Sequence, residues 1–186
     1  MSDILVLENS FCRVEAEEGC FSEDTINFAG YETGSIDSLT KVVQVRISTE
    51  QNIHTLSIAG SYLAEIGKCA VLEDNFLILN LQEQLFKIDI CTGAIVRYAQ
   101  IDIHGGGTFG LYRAPNGYII HGEIEIIMVS AEFEVVWRFS GRDIFVSITG
   151  RQEITLTDNT IQLFDFEDNF YEIDYQGRSV SKQTDS

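Results

Sequence analysis

Three stretches of this chain are variants of one unit, and that repetition constrains the fold more than any other feature. Leu85-Phe86-Lys87-Ile88-Asp89, Ile126-Ile127-Met128-Val129-Ser130 and Phe170-Tyr171-Glu172-Ile173-Asp174 are strands that end in a small polar residue, meet a turn and continue into another strand. They begin 126 − 85 = 41 and then 170 − 126 = 44 residues apart. Each follows a further strand (NFLILN, GYIIHG, TIQLFDF) and precedes another (AIVRYA, EVVWRF, RSVS). A period of ~40–50 residues carrying about four strands is that of a propeller blade. One such unit cannot bury its own apolar face, so its neighbours must stack on it.

Strand patterning extends beyond the repeats. In TKVVQVRIS from Thr40, EIEIIMVS from Glu123 and NFYEIDY from Asn169, β-branched and aromatic residues recur between turn residues. The one helical candidate, SYLAEIGKC from Ser61, is too short to stand alone. The pattern predicts an all-β chain: a small propeller-like array of about four antiparallel multi-stranded units, with a two-sheet β-sandwich as the alternative. The expected organisation is a single domain over residues 1–186. It comprises a divergent strand-rich part at 1–64, three repeat-like units at 65–181 and a frayed tail at 182–186. Ile4 to Leu7 are expected to pair into the last unit and close the ring, and Glu15 to Ser38, rich in acids and glycines, to be irregular.

KIDICTGAIV resembles the repeat of quinoprotein-type (PQQ-like) propellers, in which a strand ends at Asp, a Thr-Gly turn follows, and a Trp on the next strand packs between blades. Arg97 stands at the Trp position of this copy. MVSAEFEVVW keeps Trp137 but has Ser130 for the Asp and Phe133 for the turn glycine; EIDYQGRSV keeps Asp174 and Gly177 and lacks the Trp. The turn is one residue shorter in these two copies. The resemblance spans roughly residues 65 to 181 and implies a repeat architecture, with Trp137 as a packing residue. It implies no cofactor, because those enzymes use adjacent cysteines and a calcium-binding carboxylate set around a central channel, and this chain has no adjacent cysteines and too few blades.

Composition narrows the function. Apolar residues are 45% and charged ones 22% of the chain, near the averages for soluble globular proteins, but 29 acids against 12 bases leave a net charge of −17. That field repels phosphate backbones and anionic headgroups, which argues against nucleic-acid and membrane binding and for a basic protein partner. The candidate partner-binding residues are Glu123, Glu125, Glu132 and Glu134, with Asp165, Glu167, Asp168 and Glu172. Alternation puts Glu132 and Glu134 outward and Phe133, Val135 and Trp137 inward, so stacked repeats would merge these acids into a continuous negative surface. MSDILVLENS lacks the basic start of a secretory signal, and no apolar run reaches the ~18 residues of a membrane span. A cytoplasmic protein with Cys12, Cys20, Cys69 and Cys91 as reduced, mostly buried thiols is expected.

The run His104 to Gly110, HGGGTFG, resembles an esterase oxyanion motif, but no Gly-x-Ser-x-Gly elbow accompanies it. It also spells G-x-G-x-x-G, a fingerprint that requires a helix where LYRAPNGY follows. A connection between repeats, with glycines at positive φ, is the expected reading. On one strand, His121, Glu123 and Glu125 would share a face at ~6.6 Å spacing, a separation compatible with acid-base chemistry but ordinary for a solvated strand face. His54 reads as a half-buried strand residue. No catalytic, cofactor or metal residues are assigned, and none of these features sets the oligomeric state. The expected function is a non-enzymatic protein-binding module, an acidic inhibitor or immunity-type protein for a basic partner. The alternative is a small hydrolase with its site around His104, Gly105 to Gly107, His121 and Glu123.

Overall fold

A computed structural model describes residues 4–19, 28–29, 41–60, 66–147 and 149–180. The chain is all-β, a small propeller-like array of four multi-stranded sheets. The first contains β1 (Ile4–Glu8), β2 (Cys12–Gly19), β3 (Phe28–Ala29), β4 (Lys41–Thr49) and β5 (Ile53–Gly60) in the order β1-β2-β4-β5-β3. Its pairings are antiparallel except that of β3 with β5. The second runs β6 (Ala70–Glu73), β7 (Phe76–Leu81), β8 (Gln84–Asp89), β9 (Ile95–Gln100). The third runs β10 (Thr108–Ala114), β11 (Gly117–Gly122), β12 (Glu125–Ser130), β13 (Val135–Ser140). The fourth is β14 (Ile154–Leu156), β15 (Thr160–Phe164), β16 (Phe170–Asp174), with a single bridge from Ile173 to Ser179 where a fourth strand would lie.

Two expectations for the N-terminal part need correction. Ile4 to Leu7 pair with β2, Leu5 opposite Ala16 and Leu7 opposite Val14, and do not join the last unit. The Asn9 side chain accepts from the amides of Phe11 and Cys12 and so closes a short hairpin, and closing a few residues costs far less chain entropy than closing a whole ring. Glu15 to Gly19 belong to β2 and are not irregular; residues 20–27 and 30–40 lie outside the described residues. Ile66–Lys68 make one 3-10 turn; 61–65 and the tail at 182–186 also lie outside them.

The chain packs as two compact units, Met1–Asp102 with Gly107–Leu111 and Ile103–Gly106 with Tyr112–Ser186. In the first, Val14, Val43, Val45, Ile47, Leu77, Leu79, Phe86 and Ile88 form one core. In the second, Ile119, Ile126, Met128, Phe145, Ile161, Leu163 and Ile173 do. Central strands such as β7 and β12 are buried on both faces while the edge strands β9 and β13 are largely exposed, the pattern of sheets whose middle is covered on both sides. Each fully buried Leu, Ile or Phe contributes about 1.5–3 kcal/mol.

The three strand-turn-strand segments are equivalent down to individual bonds. Gly93 (φ 67°), Phe133 (φ 64°) and Gly177 (φ 78°) occupy the same left-handed position. Their amides donate to Asp89, Ser130 and Asp174 at 2.8, 2.9 and 2.9 Å, and those residues' amides donate to Ala94, Glu134 and Arg178. A register shift falls at Lys87/Ile88 in the second sheet and at Met128/Val129 in the third. The loop Asp165 to Asn169 repeats the same turn, with Asp168 at φ 62°. A left-handed non-glycine residue costs about 1–2 kcal/mol, and Phe133 offsets this by burying its ring against Tyr118.

A ring from the preceding sheet rests on the turn glycine. Trp137 Nε1 donates to the Tyr175 carbonyl at 3.0 Å, and a Cβ on Gly177 would meet its ring at 2.8 Å. His54 Nε2 donates to the Cys91 carbonyl at 2.9 Å, and a Cβ on Gly93 would meet that ring at 2.7 Å. Cys91 and Tyr175 both lie two residues before their glycine. Gly150→Ala, at φ 76° in open space, is expected to cost only the strain of about 1 kcal/mol. Gly93→Ala and Gly177→Ala add the ring collision and are expected to cost about 2–4 kcal/mol. Urea unfolding midpoints measure the difference, and equal losses at all three sites would refute the contact.

Candidate functional site

The eight acids singled out in the sequence separate into two kinds. Glu125 and Asp165 are 3% and 2% exposed and are internal, contrary to the expectation that they form part of an outer acidic surface. Asp165 accepts from the amides of Glu167 and Asn169, from Asn169 Nδ2, and from the Tyr171 hydroxyl at 2.6 Å. Burial works against its charge, but these donors outweigh it and hold the carboxyl below its ordinary value. The Tyr171 hydroxyl is pushed up, by burial first and by Asp165 second. Asp165 therefore sets the turn that displays its neighbours. Glu167 and Asp168 are exposed on that turn, with Asp168 3.0 Å from Arg151, which lies over the Phe164 ring.

Glu132 and Glu134 are exposed on the β12–β13 turn, their amides donating to Ser130 Oγ. Glu123 and Glu172 are half-buried, and Glu172 accepts from Thr160 Oγ1 and Gln162 Nε2. Trp137 and Phe133 turn inward as expected, but Val135 is 41% exposed. The register shift in the β12–β13 pairing inserts one residue and breaks the alternation there.

His121, Glu123 and Glu125 do not share a strand face. His121 is the next-to-last residue of β11, Glu123 and Ile124 reverse the chain, and Glu125 opens β12, so the period-two pattern stops at a turn that the sequence does not announce. The buried His121 donates from Nε2 to the Phe145 carbonyl at 3.0 Å, and the Phe145 amide donates to the Glu123 carbonyl. Glu125 Oε1 accepts from Arg138 Nη1 at 2.5 Å and from the His104 amide at 3.0 Å; Oε2 lies 3.4 Å from His104 Nδ1. Burial raises its pKa, but the His104 amide and Arg138 overcome this and hold it below the usual glutamate value. Glu125 thus anchors the connection between the second and third sheets. Gly105 and Gly106 adopt φ 67° and 66° there, and strand β10 follows, so no helix N-terminus exists for a dinucleotide.

A site the sequence did not suggest lies at the hairpin tips of the first unit. A recess of about 440 Å³ is lined by Phe11, Glu50, Asn52, Asn75, Ile90 and Cys91, among others. Bonds between separate tips hold its walls. Asn9 Nδ2 donates to the Asp74 carbonyl, the Ile90 amide to the Asn75 carbonyl, and His54 to the Cys91 carbonyl. The Thr49 hydroxyl accepts from the amides of Gln51 and Asn52. Phe11 is 66% exposed, and Ile53, next to the lining Asn52, is 60% exposed. The available signal was the placement of a large apolar residue beside each of two polar turns. Cys91 is an exposed free thiol; Cys12 and Cys69 are buried, and burial pushes Cys69 up to about 12.

No protein-family model and no curated protein matches the chain. Among solved structures, BamB from Moraxella catarrhalis superposes with a TM-score of 0.56 at 12% identity, over 78% of this chain and 46% of that one. Apo AztD from Citrobacter koseri superposes with a TM-score of 0.50 at 11% identity, over 96% of this chain and 58% of that one. The chain therefore spans about half the length of the solved structures it matches. The likeness to BamB, a β-propeller, establishes a propeller-type fold. Among the described residues, no helix is long and apolar enough to cross a membrane.

The two buried carboxylates make stability depend on acid. Both have depressed folded-state values, so their contribution is fully present above the ordinary 4.5 of Glu and 3.8 of Asp and is lost as pH falls through the folded values. Glu125→Gln is expected to cost about 3 kcal/mol at neutral pH by leaving Arg138 and the His104 amide facing a weaker acceptor. It is also expected to flatten the loss of stability below about pH 4.5. Urea unfolding from pH 7 to pH 3 tests both, and an unchanged acid slope would remove Glu125 from this role.

Proposed function

We propose that this chain is a cytoplasmic, non-enzymatic protein-binding module whose acidic surface engages a basic protein, in the manner of an inhibitor or immunity protein that blocks a cationic toxin or nuclease. The observation that carries this reading is the mounting of exposed acids on side-chain-fixed turns in a chain of net charge −17. Glu167 and Asp168 sit on the turn built by Asp165, and Glu132 and Glu134 on the turn built by Ser130. Charges held in this way need little further ordering when a partner arrives. They accelerate encounter with a cationic surface and disfavour anionic ones.

Capture from native lysate at low salt, followed by mass identification, tests the proposal. A partner of isoelectric point above about 9 is expected, with recovery falling steeply as salt shortens the screening length from ~30 to ~8 Å. Replacing Glu132, Glu134 and Glu167 by lysine should reduce capture about tenfold while leaving the unfolding free energy within about 0.5 kcal/mol of wild type. Salt-independent recovery, or recovery of an acidic partner alone, would overturn it.

A further inference from the structure

We infer that the hairpin-tip recess of the first unit is a socket for an arginine side chain carried on a loop of the basic partner. The inference rests on the acidic-module reading and adds a site to it. Its volume of about 440 Å³ falls in the range of formed ligand pockets, about 300–1,000 Å³, and suits one or two inserted side chains. Glu50 is among the residues that line it, and no lysine or arginine is.

Two further acids are next in sequence to residues of its lining. Asp89 precedes the lining Ile90, and the Thr92 hydroxyl and amide hold its carboxyl below the ordinary value. Asp74 precedes the lining Asn75 and is tied through its carbonyl to Asn9. At the rim the exposed Phe11 presents a ring to solvent. An aromatic ring and a carboxylate in one lining match the guanidinium group, which stacks on one and forks to the other. Lysine, a compact point charge, uses the carboxylate but gains less from the ring. The bonds between tips keep the walls in place before binding, so little ordering cost opposes insertion.

Cys91 supplies an internal reporter, being an exposed thiol in the wall. The probe is a fluorescein-labelled peptide of alternating arginine and glycine, with its lysine counterpart as comparison. Binding is read by anisotropy at low salt, and occupancy by the rate of Cys91 alkylation with iodoacetamide, followed by peptide mass mapping. The arginine peptide is expected to bind and to slow Cys91 alkylation about fivefold, and the lysine peptide less. Phe11→Ala and Glu50→Gln, both at exposed positions, should each remove most of that protection, whereas the Glu167→Gln/Asp168→Gln double variant should keep it.

Binding without protection of Cys91, or protection unaffected by the Phe11 and Glu50 variants, would overturn the socket and leave the acidic-module reading standing. Failure of both cationic peptides to bind at low salt would overturn both. Protection that grows with protein concentration in the absence of peptide would identify a second copy as the occupant and overturn the arginine assignment.

Discussion

The structure depends on a ring laid over a left-handed turn. In each unit the repeat turn presents a glycine whose missing side chain leaves room for an aromatic ring from the sheet before it. The ring also satisfies a carbonyl two residues upstream. This single arrangement does two things. It places a ring N–H against a turn carbonyl, and it sets a ring of one sheet on the turn of the next within each unit. Trp137 performs it in the second unit and His54 in the first, two rings of different size that share a planar face and a donor nitrogen.

Much of this was legible in the sequence, because the relevant signals are local. Period-two burial, turn residues and the small polar residue at each strand end come from the nearest neighbours along the chain, and the three compared segments share their turn bonds. His54 was not legible as the counterpart of Trp137. Its sheet has strands of eight and nine residues where the others have about six, and 41 − 19 − 1 = 21 residues separate β2 from β4, so no alignment to the repeat emerges. The turn at Glu123 and Ile124 was hidden for a related reason, since EIEII alternates as a strand would although the chain reverses within it.

The acids illustrate what composition conceals. Glu125 and Asp165 carry the same formal charge as Glu132 and Glu167, yet they are buried and saturated with donors, and they serve as struts beneath the surface that the others display. Sequence patterning treats every carboxylate as an outward group because charged residues are rarely buried unless paired, and for Glu125 the pairing partners are distant in the chain, whereas those of Asp165 lie within six residues. Arg138 is 13 residues from Glu125, and the His104 amide 21. The acidic residues thus divide into a hidden set saturated with donors and a visible set on exposed turns.

The long gap inside the first sheet bears on the order in which the molecule assembles. Neighbouring strands of the second and third sheets are joined by short turns, while β4 must return to β2 across 21 intervening residues. Relative to a two-residue turn, that closure costs about 2 kcal/mol of chain entropy. The later sheets accordingly condense fast, and the first gains a ready template once the Gly93 turn exists for His54 to lie on. Of the two sheets in this unit, the one that comes first along the chain is therefore the one expected to close later.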